Sequence, residues 1–401
     1  MSTRVQPRTE PVGPTVPEAP AALPTAPRFV LLDGARALAA LLILVTHTAA
    51  LTGFNAANPL GAWTARMDSG VAIFFVLSGF LLYRPWVAAR LEGRPGPRVR
   101  AYAGRRALRI LPAYWVALTL LGLAFTAEVP GVFSEDWWIY YGLLQSYSVP
   151  TILGGIGVAW SLSIEAAFYL LLPVLAVCGA RALRGRPAAT QVRVELLVLA
   201  ATAAAALASR IVVRSSGWES TWDNTLPGLW PWFAAGMGLA VVSVAHAGRP
   251  LSERPALVRS ATERPALWWF GALVALTLAA KAVGLPRTFG DPYGTAGLQL
   301  QHVLYGLIAV FLVAPAVFAD GRRSVVSVVL GHPALAWLGL ISYGLFLYHL
   351  PLAQQLQPAQ DWLPGSGFLV VTALTFVAAT ACAAASYYVV ERPLLRRRAR
   401  R

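Results

Sequence analysis

Charge is scarce in this chain of 401 residues: Asp, Glu, Lys and Arg together make up 13%, against 57% hydrophobic residues. Lysine is nearly missing, with Lys281 alone, so the positive charge is almost all arginine. A soluble domain carries about 25% charged residues. This chain instead strings together apolar blocks of roughly 17–25 residues with short polar segments between them, which is the pattern of a membrane protein. Cysteine is limited to Cys178 and Cys382, both inside apolar blocks. That excludes a disulfide framework, and neither has a metal-type spacing. No repeat of a solenoid period is present. The net charge of +15 does not point to nucleic acid, because the basic residues lack interleaved aromatics and fall in alternate loops. The positive-inside rule accounts for that distribution, and the bilayer is the partner it implies.

The reading is all-α: a polytopic membrane helix bundle of about ten transmembrane helices. Spans are expected at 29–51, 70–86, 107–126, 158–179, 192–213, 227–246, 266–283, 298–319, 335–357 and 367–390. Residues 1–27, rich in Pro, Thr, Glu and Arg, read as a disordered cytoplasmic tail. Residues 28–393 form the membrane domain, and 394–401 a basic cytoplasmic tail. No appended soluble domain is expected. The aromatic segment 137–149 is too short for a span and reads as an interfacial or re-entrant piece. This count puts Arg90, Arg94, Arg181, Arg184, Arg322, Arg323 and the six arginines after Glu391 on one side with both termini. Only Arg66, Arg214 and Arg287 are left on the other. Both termini are therefore cytoplasmic. The Ala- and Arg-heavy composition suits a high-GC bacterium, and so its plasma membrane.

The first span carries Asp33, Arg36 and His47. Each is expensive in hydrocarbon and needs a partner or a task. Arg36 and His47 are eleven residues apart, three turns plus roughly 20°, so they share a face about 16 Å apart in depth. The second span has Ser78 and Gly79 at its middle and Arg84 at its inner end. Arg105, Arg106 and Arg109 open the third, where the guanidinium fork suits phosphate oxygens. In the fourth span Glu165 lies five residues in from Trp160, on one face with Ser161. In the ninth, Ser342 and His349 share a face, with Tyr343 beside them. His246, His302 and His332 read as packing residues.

These pieces together resemble the acyltransferase 3 family of integral membrane O-acyltransferases. The resemblance rests on LLDGARALAALLILVTH, GVAIFFVLSGFLLYRP, RRALRILPAYW, WSLSIEAAFYLLLP, ISYGLFLYHLP and the closing ERP, in order from residue 31 to 393. It implies a ten-span enzyme that takes an acyl group from cytoplasmic acyl-CoA to a hydroxyl on a carbohydrate, glycolipid or natural product. No permanently bound cofactor or metal is implied; acyl-CoA is the donor substrate. Arg36 and His47 would inherit the family's essential pair. Two departures are Ala37, where many relatives have glycine, and Ala72, where many have an acidic residue. No esterase-like extension of the kind some relatives carry is expected either.

On that basis Arg36, Arg84 and Arg109, with Arg105 and Arg106, would hold the donor's phosphates. His47 would be the general base and Glu165 would orient it. Asp33, Ser78, Trp160, Ser161, Ser342, Tyr343 and His349 are the remaining candidates for the substrate site. A covalent intermediate on Ser78, Ser161 or Ser342 stays open. The rival class is a transporter or flippase, which would show matched pairs of broken helices; none is evident.

Overall fold

The computed structural model describes residues 29–216, 221–288, 294–363 and 365–399. The expected tail at 1–27 lies outside them. The described residues form helices and no strands. Ten long helices follow the expected order: α1 Val30–Leu51, α2 Gly70–Leu91, α3 Val99–Ala124, α4 Trp160–Ala182, α5 Ala188–Ser215, α6 Leu226–Ala245, α7 Pro265–Lys281, α8 Thr295–Val317, α9 Pro333–Leu356 and α10 Gly367–Ser386. Among the described residues, nine helices are long and apolar enough to cross a bilayer. The tenth, α7, has 17 residues and stands at the lower limit of spanning length. The basic end continues as a helix, Arg392–Ala399, after a π-helical turn at Tyr387–Glu391.

Six of these helices contain an internal proline, at Pro85, Pro112, Pro173, Pro231, Pro315 and Pro351. In the interior of a water-exposed helix each would cost about 3 kcal/mol. Inside a membrane bundle, neighbouring helices take up the freed backbone groups.

α1 is the shared wall of the bundle. Leu32, Ala35 and Ala39 pack into one cluster with residues of α2, α6 and α8. Ala37, Ala40, Ile43 and Leu44 pack into a second with α3, α9 and α10. An alanine-rich helix suits this position, because small side chains let neighbours close in from both sides. The closest approach is to α9: a Cβ on Gly339 would lie 2.0 Å from the Asp33 carbonyl oxygen. α2 and α6 meet as tightly, since a Cβ on Gly236 would lie 2.0 Å from Val76 O.

Segment 137–149 does not span. Trp137–Tyr141 is a short helix, tied to α3 by the Tyr114 hydroxyl donating to Tyr140 O at 2.8 Å and Trp115 Nε1 to Tyr141 O at 3.0 Å. The chain then dips into the bundle. Gln145, Ser146, Ile156 and Ala159 are fully buried, and Ser146 Oγ donates to Trp160 O at 2.6 Å. α4 therefore begins from a buried segment.

Gly339→Val should wedge α1 from α9 and destabilise the protein by about 1–3 kcal/mol or more, the cost of overpacking. Gly297→Ala, where the nearest side-chain atom would be 3.4 Å away, should leave stability unchanged. Thermal unfolding of the two variants in detergent checks this.

Candidate active site

α1, α2, α3, α4 and α9 enclose a narrow inner cavity of about 90 Å³. Arg36, Arg106 and Arg109 line it, with Ser78, Glu165, Tyr169, Ser161, Ser342, Tyr343 and Phe346. Asp33 does not line it but holds Arg36 from behind, Oδ1 accepting from Nη1 at 2.6 Å. Glu165 Oε1 accepts from the Ser78 hydroxyl and from Tyr169 OH at 2.6 Å. Neither the Arg106 nor the Arg109 guanidinium makes a hydrogen bond among the described residues, and Arg106 Nε is buried without an acceptor. Asp33, Glu165 and Glu391 match the three guanidiniums in charge, so what is left over is unused donors on Arg106 and Arg109. Such a cavity favours an anion with several oxygens.

A wider outer cavity, about 660 Å³, has His47 at its base. Trp160, Asn55, Asn224, Gln354, Glu128 and Arg287 contribute to its wall. An indole face among amide and charged side chains is suited to a hydroxyl-rich molecule. His349 is 1% exposed and sits behind His47, its Nε2 at 3.1 Å from His47 Nδ1. His349 Nδ1 lies 2.8 Å from Phe346 O, and His47 Nδ1 lies 2.8 Å from Ile43 O. A ring nitrogen facing a carbonyl must carry the proton. His349 Nδ1 is then the donor to its own helix, and its Nε2 lone pair accepts from His47 Nδ1–H. That tautomer makes Nε2 the basic nitrogen of His47.

No residue lines both cavities. Phe346 stands between them. Its ring packs edge-on against Phe74 of the inner cavity at 6.1 Å and tilted against His349 at 5.9 Å.

The structure revises several expected placements. Glu165 was expected beside His47. It lies instead among the guanidiniums, bonded to Ser78 and Tyr169, and His349 occupies the place behind His47. The reason is that α4 turns Glu165 toward Ser78 of α2, with Tyr169 one turn on, while α9 brings His349 to His47. Arg84 is also outside the cavity: its Nε donates to Ser243 Oγ of α6 at 3.3 Å, and its guanidinium lies 5.0 Å from the Phe29 ring centre. Arg105 is exposed, turned about 100° from Arg106 on α3. The five expected arginines reduce to three. Ser161 and Ser342 donate to carbonyls of their own segments, Val158 O at 3.2 Å and Gly339 O at 2.9 Å. Trp160 belongs to the outer cavity.

One residue escaped the sequence reading. Glu391, in the closing ERP, is 1% exposed, and neither carboxylate oxygen has a hydrogen-bond partner. Arg109 is the charge that acts on it. Its signal was an acidic residue at the end of the last span, within a motif already noted.

The family model described as an acyltransferase domain (Acyl_transf_3) matches residues 29–388. The chain belongs to the acyltransferase 3 family. It is 26% identical over 387 residues to YrhL of Bacillus subtilis strain 168, provisionally named a peptidoglycan O-acetyltransferase, covering 90% of this chain and 54% of that one. It is 32% identical over 161 residues to the acyltransferase MdmB of Streptomyces mycarofaciens, covering 38% and 40%. It is 26% identical over 158 residues to the peptidoglycan O-acetyltransferase OatA of Listeria monocytogenes, covering 35% and 23%. The chain thus spans about half the length of YrhL. No solved structure matches it.

If Phe346 divides the cavities, removing its ring joins them. In a background with Cys178→Ser and Cys382→Ser, a cysteine placed by Ser342→Cys should resist a membrane-impermeant thiol reagent applied from the outer side. Adding Phe346→Ala should make it react, as read by mass spectrometry of the intact protein.

Proposed function

We propose that this family member is a membrane O-acyltransferase of a bacterial plasma membrane. It moves a short acyl group, such as acetyl, from cytoplasmic acyl-CoA to a hydroxyl of a carbohydrate, glycolipid or glycosylated natural product. The observation that carries the reading is the stacking of two unlike sites along α1: guanidiniums around a narrow inner cavity, and a bonded histidine pair at the base of a wide outer one. The names of YrhL, OatA and MdmB support acyl transfer, and two of them support a glycan acceptor.

In this reading the donor's phosphate oxygens rest on Arg36, Arg106 and Arg109. Its thioester arm rises past Phe346 toward His47, across the depth of about 16 Å between Arg36 and His47. The acceptor occupies the outer cavity. His47 Nε2 takes the hydroxyl proton as the oxygen attacks the thioester carbonyl. His349 stabilises the resulting imidazolium by accepting from Nδ1–H. The C–S bond breaks, the thiolate leaves, and the proton passes from His47 to give the free thiol.

A second reading uses Ser78, the one candidate serine bonded to a carboxylate, Glu165. A base-paired hydroxyl is an activated nucleophile, and the acyl group would rest on Ser78 before reaching the acceptor. Donor alone would then leave an acylated protein, which Ser78→Ala abolishes.

His47→Ala should lower kcat by about 10²–10⁴-fold, the usual contribution of general-base help, with donor affinity retained. Arg36→Ala should weaken donor binding. Turnover and donor titration in proteoliposomes measure both. Near wild-type turnover in His47→Ala, or movement of unmodified acceptor across the membrane, would overturn the reading.

A further inference from the structure

The inner cavity does not end the groove between α2, α3 and α4. The same three helices border a third cavity of about 490 Å³ at the arginine-rich end, closed by the loop after α2 and the turn after α4. On α2, Leu82 faces the inner cavity and Trp86, one turn on, faces the third. On α3, Arg106 faces the inner cavity and Val99, two turns earlier, the third. On α4 the corresponding pair is Tyr169 and Ala180, about 16 Å apart along the axis. The Trp86 ring packs edge-on against Tyr102 at 6.0 Å, and Tyr102 sits one turn below Arg106. The two cavities are successive chambers along the same three helices and share no lining residue.

The chemistry of the third chamber is lopsided. Arg90, Arg94, Arg181 and Arg184 line it. Glu195 takes Arg90, and Glu92 takes Arg94 in an exposed pair of little energetic weight. Among the described residues, the guanidiniums of Arg181 and Arg184 have no hydrogen bond or ion pair. Two further donors, Trp86 Nε1 and Arg90 Nε, are buried with no acceptor. Beside them Ala176, Val177 and Leu183 give an apolar floor. A buried donor without an acceptor is destabilising, so this set is matched to a ligand that brings acceptors. The matching ligand carries a phosphate monoester for the arginines and a flat, weakly polar body for the floor.

We infer that this chamber holds the 3′-phosphorylated adenosine end of the donor, with Arg181 and Arg184 on the 3′-phosphate. This rests on the acyl-CoA reading above and extends it. Arg36, Arg106 and Arg109 hold the diphosphate, and the third chamber reads the terminal nucleotide. The residues that distinguish coenzyme A from its precursor lacking the 3′-phosphate are therefore remote from the reacting atoms.

The test is calorimetric binding of coenzyme A and 3′-dephospho-coenzyme A to the full chain in nanodiscs of zwitterionic lipid. The intact protein should bind coenzyme A at least about tenfold more tightly, the worth of one charge-assisted contact. Arg181→Ala/Arg184→Ala should bind both forms alike, at the affinity the intact protein shows for the dephospho form. Both positions are exposed and should not disturb folding, which melting curves check. Arg186→Ala/Arg193→Ala, which removes the same charge outside the chamber, should keep the discrimination. Discrimination that survives in Arg181→Ala/Arg184→Ala overturns the assignment, as does its loss in the control pair. So does a variant altered only in retention of phosphatidylglycerol, read by native mass spectrometry, because the chamber is then a lipid headgroup site. Failure of the intact protein to bind either form overturns the acyl-CoA reading itself.

Discussion

The close approach of α1 and α9 at Gly339 and Asp33 is the constraint on which the site depends. With no side chain at Gly339, the two backbones come within contact distance near their inner ends, and that contact fixes their axial register. Three residues past it, Arg36 and Ser342 come to line the same cavity. Two to three turns further, His47 and His349 come within hydrogen-bond distance. Hydrophobic patterning alone could not impose this register, because α1 is apolar on nearly every side. A missing Cβ sets it.

Buried charge in this bundle falls into two kinds. Arg210 is satisfied within the fold by Asp223, Gly228 O and Gln299, and Glu195 by Arg90 and Tyr83. Those groups tie α5 to its neighbours. Among the described residues, Arg106, Arg109 and Glu391 lack hydrogen bonds for some or all of their side-chain polar atoms; the two arginines line the inner cavity, and Glu391 interacts with Arg109. Burial of a charge in a membrane protein says little until its partners are counted. What distinguishes a site is donors left without acceptors.

Much of this was legible in the sequence, and the parts that were not have a common cause. The helices, their order and the non-spanning segment at 137–149 follow from block length and loop charge, which are local properties. The face shared by Arg36 and His47 follows from helical periodicity. What failed was rotation. Glu165 was placed beside His47, but α4 turns it toward Ser78 of α2. Arg84 was counted as inward-facing, yet it turns to Ser243 on α6. Arg105 and Arg106 are neighbours in sequence and face different surroundings. The role of His349 behind His47 needed the α1–α9 register, which no single segment carries.

The wall formed by Phe74 and Phe346 has a consequence for the cell. A water-filled shaft running the height of the bundle would conduct ions and short-circuit the electrochemical gradient the membrane maintains. Two blind chambers back to back, parted by aromatic rings, act as an airlock. In the proposed reading, a slender acyl chain would thread past these rings while they keep the dielectric barrier closed to protons, so that chemistry would cross the bilayer without current.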